Sequence, residues 1–180
     1  MKNISLTVLA SFLGMQILAS CVHTSSGPIL PTRTEVSFEV EFLVAGSSVK
    51  MFTGGQGCAK NDKGCVRVPA GDSALVTFKF QNNQNYPCGS NPNSHYISEI
   101  AFANLPKTFG VPVAKWIQDD FGAAPDTGVV WKHTSGTPVQ SVDITDKNEN
   151  PGVAYYQISV EACNDPGVPI ITDPRMENEG

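Results

Sequence analysis

The amino-acid sequence predicts an all-β fold, a single antiparallel β-sandwich with at most one short helix. Several segments alternate apolar and polar residues with a period of two, as strands do when one face is buried and the other meets water. These segments are short, and turns rich in Gly, Pro, Asn and Asp separate them. Little of the 180-residue chain shows helical periodicity. The length suits one domain with a hydrophobic core of its own.

The clearest strand is predicted at Glu35–Val44. Its apolar residues fall at every second position with polar residues between them, the apolar set being Val36, Phe38, Val40, Phe42 and Val44. This pattern indicates a half-buried strand with a charged outer face. The glycine-rich run at 53–57 is predicted to be a flexible loop, because it lacks the Gly-Lys-Ser/Thr and the helix that complete a phosphate-binding loop.

Further strands follow along the chain, and two of them, Ser73–Phe80 and Val153–Ala162, repeat the regular alternation. The predicted set is Val49–Phe52, Val66–Val68, Ser73–Phe80, Tyr96–Ala103, Gly128–Thr134, Pro138–Ile144, Val153–Ala162 and Val168–Thr172. One short helix is expected after Pro112, where Val113, Trp116, Ile117, Asp120 and Phe121 follow helical spacing and Gly122 provides a stop. It would cross one end of the domain.

Roughly seven to nine short strands with these turns favour an immunoglobulin-like sandwich, with a closed barrel as the alternative. The run from Asp143 to Ala162 resembles the last hairpin of many secreted sandwich domains, which implies a fold and no activity. The sandwich is predicted to occupy residues 35–172. Residues 173–180 are polar, and we expect them to form a frayed tail.

The N-terminal segment has the pattern of a signal peptide. Lys2 precedes a mostly apolar run from Ile4 to Leu18, which is shorter than the roughly 20 apolar residues of a membrane-spanning helix. Leu18-Ala19-Ser20-Cys21 then resembles the lipobox of bacterial lipoproteins. The alternative is an ordinary secretory leader with an incidental cysteine.

The lipoprotein resemblance implies that residues 1–20 are removed and that Cys21 becomes a lipidated N-terminus. Two or three acyl chains anchor a protein stably, whereas one does so only marginally. Residues 21–34 contain prolines, serines and threonines and are predicted to be a short tether. Val22 rather than an aspartate follows the cysteine, which by analogy favours the outer membrane. The membrane is therefore one expected partner, reached through the lipid on Cys21.

The remaining four cysteines predict two disulfides. With Cys21 lipidated, two disulfides are expected, Cys58 with Cys65 as the local pair and Cys88 with Cys163 as the remaining one. A zinc site is the alternative, but the spacing contains no Cys-x-x-Cys pair.

The formal net charge is −5, without a Lys/Arg cluster, which argues against nucleic acid as a partner. No cofactor is predicted.

One candidate metal site stands out. Asp143, Asp146, Asn148 and Asn150 bring oxygen side chains together, and the spacing from Asp146 to Asn150 matches the opening of a calcium loop. The match then fails at Pro151, where that loop has glycine. The same residue types suit a turn between strands, because Asp and Asn bond to their own backbone. We therefore expect no metal and keep the four residues as candidate calcium ligands.

No catalytic residues are assigned from the sequence. Ser94, His95 and Asp119 could be combined into a triad on paper, but no Gly-x-Ser-x-Gly or His-Glu-x-x-His motif is present. Asp119-Asp120 is adjacent, which favours a helix surface or cap over a two-carboxylate glycosidase site. His133, like His95, is expected to be a solvated residue.

Aromatic residues offer a candidate binding face. The set is Tyr86, Tyr96, Trp116 and Trp131. Trp is more often a core or edge residue, and Trp131 is equally suited to close the sandwich core. The sequence thus favours a non-catalytic envelope lipoprotein whose loops bind an envelope protein or support envelope assembly. The alternatives are a module that binds carbohydrate or peptidoglycan through these aromatics, and a hydrolase.

Overall fold

The computed structural model describes residues 33–81, 88, 94–172 and 174–180. In chain order the elements are β1 Glu35–Ala45, β2 Ser48–Met51, β3 Val66–Val68, β4 Ser73–Phe80, β5 His95–Ala103, α1 Lys115–Phe121, β6 Val129–Lys132, β7 Ser141–Asp146, β8 Gly152–Ala162, β9 Asp165–Thr172 and β10 Arg175–Asn178. The first sheet has the order β2-β1-β4-β7. The second has the order β3-β10-β8-β5-β6, and β9 also pairs with β8.

The two sheets pack face to face through the alternating apolar residues predicted from the sequence. In β4 the buried residues are Ala74, Val76, Phe78 and Phe80, and in β8 they include Ala154, Tyr156, Ile158 and Val160. Phe78 of the first sheet meets Tyr156 of the second edge to face, with ring centroids 5.0 Å apart. Such aromatic pairs add to the stabilisation that burial alone provides. The predicted β-sandwich is confirmed.

The strand pairing is mixed rather than purely antiparallel. β1 pairs with β4 in parallel, from Glu35 opposite Ser73 to Phe42 opposite Phe80. β3 and β10 form a second parallel pair. The remaining pairings between named strands are antiparallel in the part of the chain that the structure describes. The expectation of a fully antiparallel, immunoglobulin-like arrangement is amended accordingly, because parallel partners join strands that are distant in sequence and leave no local signal.

The single short helix is confirmed at Lys115–Phe121. It ends at Gly122, which has a left-handed φ of 68° and donates its backbone N–H to Gln118 O. Glycine is favoured there because a side chain would strain that conformation. Phe121 stacks on Phe102 of β5 with ring centroids 4.2 Å apart. The helix is thereby fixed against the second sheet.

The expectation of a frayed C-terminal tail is wrong. Arg175–Asn178 forms β10, which lies between β8 and β3 in the second sheet. Met176 and Asn178 are buried, while Arg175 and Glu177 form an ion pair on the other side. The alternation of β10 is not visible in the sequence, because its inward positions hold one methionine and one asparagine rather than two aliphatic residues.

Both predicted disulfides are present. Cys58 is bonded to Cys65 and Cys88 to Cys163. Cys21, the predicted signal peptide and most of the predicted tether lie outside the described residues, as does Tyr86. Among the helices that the structure describes, none has the length and apolar character needed to cross a membrane.

Candidate functional site

A groove runs over the outer face of the second sheet, along β5, β6 and β8. It consists of two adjoining clefts with cavity volumes of about 230 Å³ and 490 Å³, which share Glu99 and Lys132. The smaller cleft is otherwise lined by Tyr96, Ser98, His133, Ser159 and Glu161. The larger is otherwise lined by Ala101, Phe109, Gly110, Thr127, Val129 and Gln157. One end of the groove is therefore polar and the other more apolar.

The register of the second sheet places these side chains together. Tyr96 lies opposite Glu161 of β8, and Glu99 lies opposite Ser159 of β8 and Lys132 of β6. A register shift between Ile97 and Glu99 accompanies this placement. Bulges of this kind redirect side chains at functional sites. The polar end of the groove is thus built from cross-strand pairs, whereas Phe109, Gly110 and Thr127 at the other end come from the loops on either side of α1.

Two polar pairs define the electrostatics of the groove. Lys132 Nζ lies 3.0 Å from Glu99 Oε2, and Tyr96 donates its hydroxyl to Glu161 Oε2 at 2.9 Å. Gly167 N donates to the same Glu161 oxygen at 3.0 Å. Burial, followed by the bond to Glu161 and its charge, raises the pKa of Tyr96. Tyr96 therefore remains a neutral hydrogen-bond donor at physiological pH.

The described members of the predicted aromatic set, Tyr96, Trp116 and Trp131, do not form one surface. Tyr96 lines the groove, and His133 packs against it with ring centroids 5.2 Å apart. Trp131 lies opposite the buried Ile100 and packs on the edge of the core, as its alternative interpretation held. Trp116 packs against Gly152 at the start of β8. Tyr96 lies beside Glu161, near the other end of that strand. At about 3.3 Å per residue, the strand from Gly152 to Glu161 separates Tyr96 from Trp116 by roughly 30 Å.

Of the four candidate calcium ligands, Asp143 lies apart from the other three, which are close to one another. Asp143 lies on the exposed face of β7 and accepts a hydrogen bond from Thr77 Oγ1, whereas Asp146 lies on the buried face. Asn148 donates Nδ2 to the carbonyls of Pro69 and Asp72. Its side-chain oxygen accepts the N–H of Gly180. The side chain of Asn148 is thus engaged in hydrogen bonds typical of a turn between strands.

A buried polar cluster replaces that candidate. We call Asp120, Asp146, Asn148, Asn150 and Asn178 the polar clasp. Both oxygens of Asp120 accept two hydrogen bonds each, from Glu149 N, Asn150 N, Asn150 Nδ2 and Asn178 Nδ2. Asp146 Oδ1 accepts from Asn148 N and Asn178 Nδ2. The clasp joins α1, the turn at 69–72, the segment between β7 and β8, and the C-terminal strand.

The role of Asp120 was missed in the sequence, although one signal pointed to it. It occupies the same helical stripe as Val113, Ile117 and Phe121, so the helix places it inward. Its exposure is 1%. A carboxylate on an apolar stripe requires buried partners, and here they come from residues far along the chain.

The residues considered for catalysis are dispersed. Asp119 forms an ion pair with Lys115 within the helix. Ser94 accepts a hydrogen bond from Cys163 N at the other end of β8 from the helix, so Ser94, His95 and Asp119 do not form a triad. Cys58, Cys65 and Glu177 lie close enough to hold a metal, but the two sulfurs are joined in a disulfide and Glu177 is paired with arginines.

Comparisons with known proteins return structural likeness alone. No family model matches this chain, and no curated protein sequence matches it. A structure of reduced rusticyanin is 13% identical, covers 81% of this chain and 80% of that chain, and has a TM-score of 0.39. Rusticyanin from Thiobacillus ferrooxidans is 14% identical over 81% of this chain and 78% of that chain, with a TM-score of 0.36. These TM-scores are below 0.5, so the fold description rests on the chain's own strand pairing.

Proposed function

We propose that this chain is a non-catalytic lipoprotein of the cell envelope that binds a segment of another protein in the groove on the second sheet. The observation that carries the proposal is the arrangement of the Glu99–Lys132 and Tyr96–Glu161 pairs along that groove. Ligand sites combine apolar surface with a few positioned polar groups, and both ends of the groove fit this description.

Binding suits the groove better than catalysis does. A general base or nucleophile needs a group whose protonation state can change near the working pH. In the groove, Tyr96 has a raised pKa and is held by Glu161, while Glu99 is paired with a lysine. These four side chains hold one another in fixed orientations and His133 packs against the ring of Tyr96, an arrangement that favours recognition.

A protein ligand suits the groove better than a glycan does. Sugars stack on exposed aromatic faces, but the Tyr96 residue is only 9% exposed. The half-buried Phe109 and Val129 supply apolar contact at one end, and charged side chains of both signs lie beside them. An extended polypeptide with apolar and charged residues in alternation would match this lining.

The envelope location rests on the N-terminal sequence. The resemblance of Leu18-Ala19-Ser20-Cys21 to a lipobox implies an acylated Cys21 and places the domain at a membrane, with the outer membrane favoured. Mass spectrometry of the N-terminal peptide from the native host is expected to show acyl chains on Cys21. A Cys21 that is unmodified or joined in a disulfide would contradict the anchoring.

Affinity capture from detergent-solubilised envelope tests the groove with a matched pair of charge reversals. Lys132→Glu changes the groove, and Lys50→Glu changes an exposed residue of the first sheet. We expect Lys132→Glu to reduce recovery of the partner about tenfold, which corresponds to about 1.4 kcal/mol. Lys50→Glu is expected to retain full recovery. Equal recovery with both variants would remove the groove as the binding face.

A glycan array distinguishes the alternative with the same two proteins. We expect the array to contain no glycan that the wild type binds and the Lys132→Glu variant does not. A glycan that shows this behaviour would replace the protein ligand with a sugar at the same groove. Binding that both variants retain would place the sugar elsewhere on the chain.

A further inference from the structure

Two buried oxygens in the polar clasp lack hydrogen-bond partners. Asn178 Nδ2 donates to Asp146 Oδ1 at 3.0 Å. The second oxygen of each group, Asp146 Oδ2 and Asn178 Oδ1, is buried and has no partner among the described residues. Unpartnered buried oxygens are costly, and here both belong to the same pair of side chains.

One proton would satisfy both oxygens. A carboxylate only accepts hydrogen bonds, whereas a carboxylic acid also donates one O–H. Carboxyl and carboxamide groups are planar forks of similar shape, and these two are already joined by one N–H···O bond. A proton on Asp146 Oδ2 would be donated to Asn178 Oδ1 and would close a ring of two hydrogen bonds.

The charges around Asp146 favour the neutral form. Asp120 of α1 lies across the Asn178 amide, and its two oxygens accept four hydrogen bonds. Among the described residues, the cation that acts on Asp146 is Arg33, which precedes β1, and it is shared with Glu149 and the carbonyl of Asn148. A second buried negative charge beside Asp120 would therefore be poorly compensated.

We propose that Asp146 is a proton-binding group that closes the polar clasp when protonated and loosens it when it ionises. The clasp would respond as a unit, since Asp146 and Asn178 connect α1, the segment after β7 and the C-terminal strand. Burial, as the largest cause, raises the pKa of Asp146 to about 6, in agreement with the geometry.

A proton fits the clasp better than a metal cation does. Calcium takes about six to eight oxygen ligands, and the two unpartnered oxygens are far fewer. The oxygens of Asp120 are occupied by N–H donors, including the backbone of Glu149 and Asn150. Those donors would repel a cation placed between the two carboxyl groups.

The sign of the pH dependence follows from the raised pKa. The folded protein binds this proton more tightly than the unfolded chain does, because the pKa of Asp146 is about 6 in the folded protein and near 3.8 in the unfolded chain. The stabilisation from this proton is therefore full below pH 3.8 and declines as the pH rises to about 6. The equilibrium constant between folded and unfolded protein should fall about a hundredfold through this residue alone. Above that range the contribution should be constant.

The substitution Asp146→Asn tests the proposal, since an amide supplies the same acceptor and a permanent donor. We expect Asp146→Asn to remove the stability change that Asp146 causes between pH 4 and pH 7. At pH 7.5 the folding equilibrium constant of this variant should exceed that of the wild type by more than tenfold. Asp143→Asn, on the exposed face of the same strand, is the matched control and should keep the wild-type profile. An Asp146→Asn protein with the wild-type pH profile would overturn the proposal.

A measurement on the wild-type protein keeps the proposal testable if Asp146→Asn does not fold. The carboxyl carbon of Asp146, followed by NMR, should titrate near pH 6, and a midpoint below 4 would overturn the proposal. Calcium chloride at pH 7.5 should leave wild-type stability unchanged relative to magnesium chloride. Stabilisation by calcium that disappears in Asp146→Asn would assign the clasp to a cation instead.

Discussion

The polar clasp and the groove lie towards opposite ends of β8 and use the same residue types in different surroundings. In the clasp, Asp120 and Asp146 are almost completely buried, with backbone and amide groups as partners. In the groove, the side chains of Lys132 and Glu99 are 61% and 24% exposed and pair with each other. Burial makes a carboxylate a structural element, whereas exposure leaves it available to a ligand.

The two ends are also held together by different bonds. Among the described residues, the side chains of the clasp join their segments through hydrogen bonds, and the Cys58–Cys65 disulfide lies near Glu177 but outside the clasp. At the groove end, Cys163 follows β8 and is bonded to Cys88, and its N–H is bonded to Ser94 O just before β5. A covalent link therefore secures the end that carries the candidate ligand site. This difference can be tested by removing each kind of bond.

The largest effect is expected from the disulfide at the groove end. Cys88→Ser with Cys163→Ser opens a ring that spans 75 residues of sequence separation, which the loop-entropy model values at about 4.5 kcal/mol. The control, Cys58→Ser with Cys65→Ser, opens a ring closed over a sequence separation of only 7 and should lower the free energy of unfolding by about 2.5 kcal/mol. Urea unfolding at equilibrium measures both. A larger loss in the control would contradict the assigned importance of the long bridge.

Removal of the central carboxylate of the clasp ranks second. Asp120→Ala leaves the side-chain amide of Asn150 and the backbone N–H groups of Glu149 and Asn150 without their acceptor, and we expect a loss of about 3 kcal/mol. The neighbouring Asp119→Ala breaks an ion pair at the surface of the helix and should cost about 0.5 kcal/mol or less. Thermal unfolding of the two variants makes the comparison, and equal losses would show that the clasp does not stabilise the fold.

Two tyrosines compare the buried core with the groove. Tyr156 is fully buried and donates its hydroxyl to Gly64 O, so Tyr156→Phe should cost about 1.5 kcal/mol. Tyr96→Phe removes a bond to Glu161 at the wall of the groove, where solvent replaces it, and should cost about 0.5 kcal/mol. Denaturant midpoints at constant slope measure the difference. The reverse order would mean that the groove is part of the stabilising structure.

The smallest stability effect is expected at Lys132. Its side chain is largely exposed, so Lys132→Ala should change the free energy of unfolding by less than about 0.5 kcal/mol. Its expected effect is on partner binding, as with the charge reversal. A large loss of stability in Lys132→Ala would instead identify the Glu99–Lys132 pair as structural.

The regular strands could be predicted because their information is local. In β1, β4 and β8 every second residue is apolar, and each of these strands forms where expected. β10 could not be found this way, because the buried Asn178 depends on Asp120 and Asp146, which come from distant segments. The parallel pairing of β1 with β4 likewise depends on contacts across the sheet.

The groove was only partly visible in the sequence. Tyr96 was recognised as a candidate, but Glu99 and Glu161 were not, since nothing local distinguishes them from surface glutamates. Their positions depend on the register between β5, β6 and β8 and on the shift near Glu99. The grouping of Tyr96 with Trp116 failed for the same reason, because the distance between them is set by the length of β8.

Photocrosslinking in the native envelope tests most directly whether the groove binds a partner. A photoreactive amino acid at position 132 would lie in the groove, and the same amino acid at position 145 would lie on the exposed face of β7 in the first sheet. The proposed function predicts a crosslinked protein band from position 132 and none from position 145. A band from position 145 alone, or equal bands from both, would contradict it.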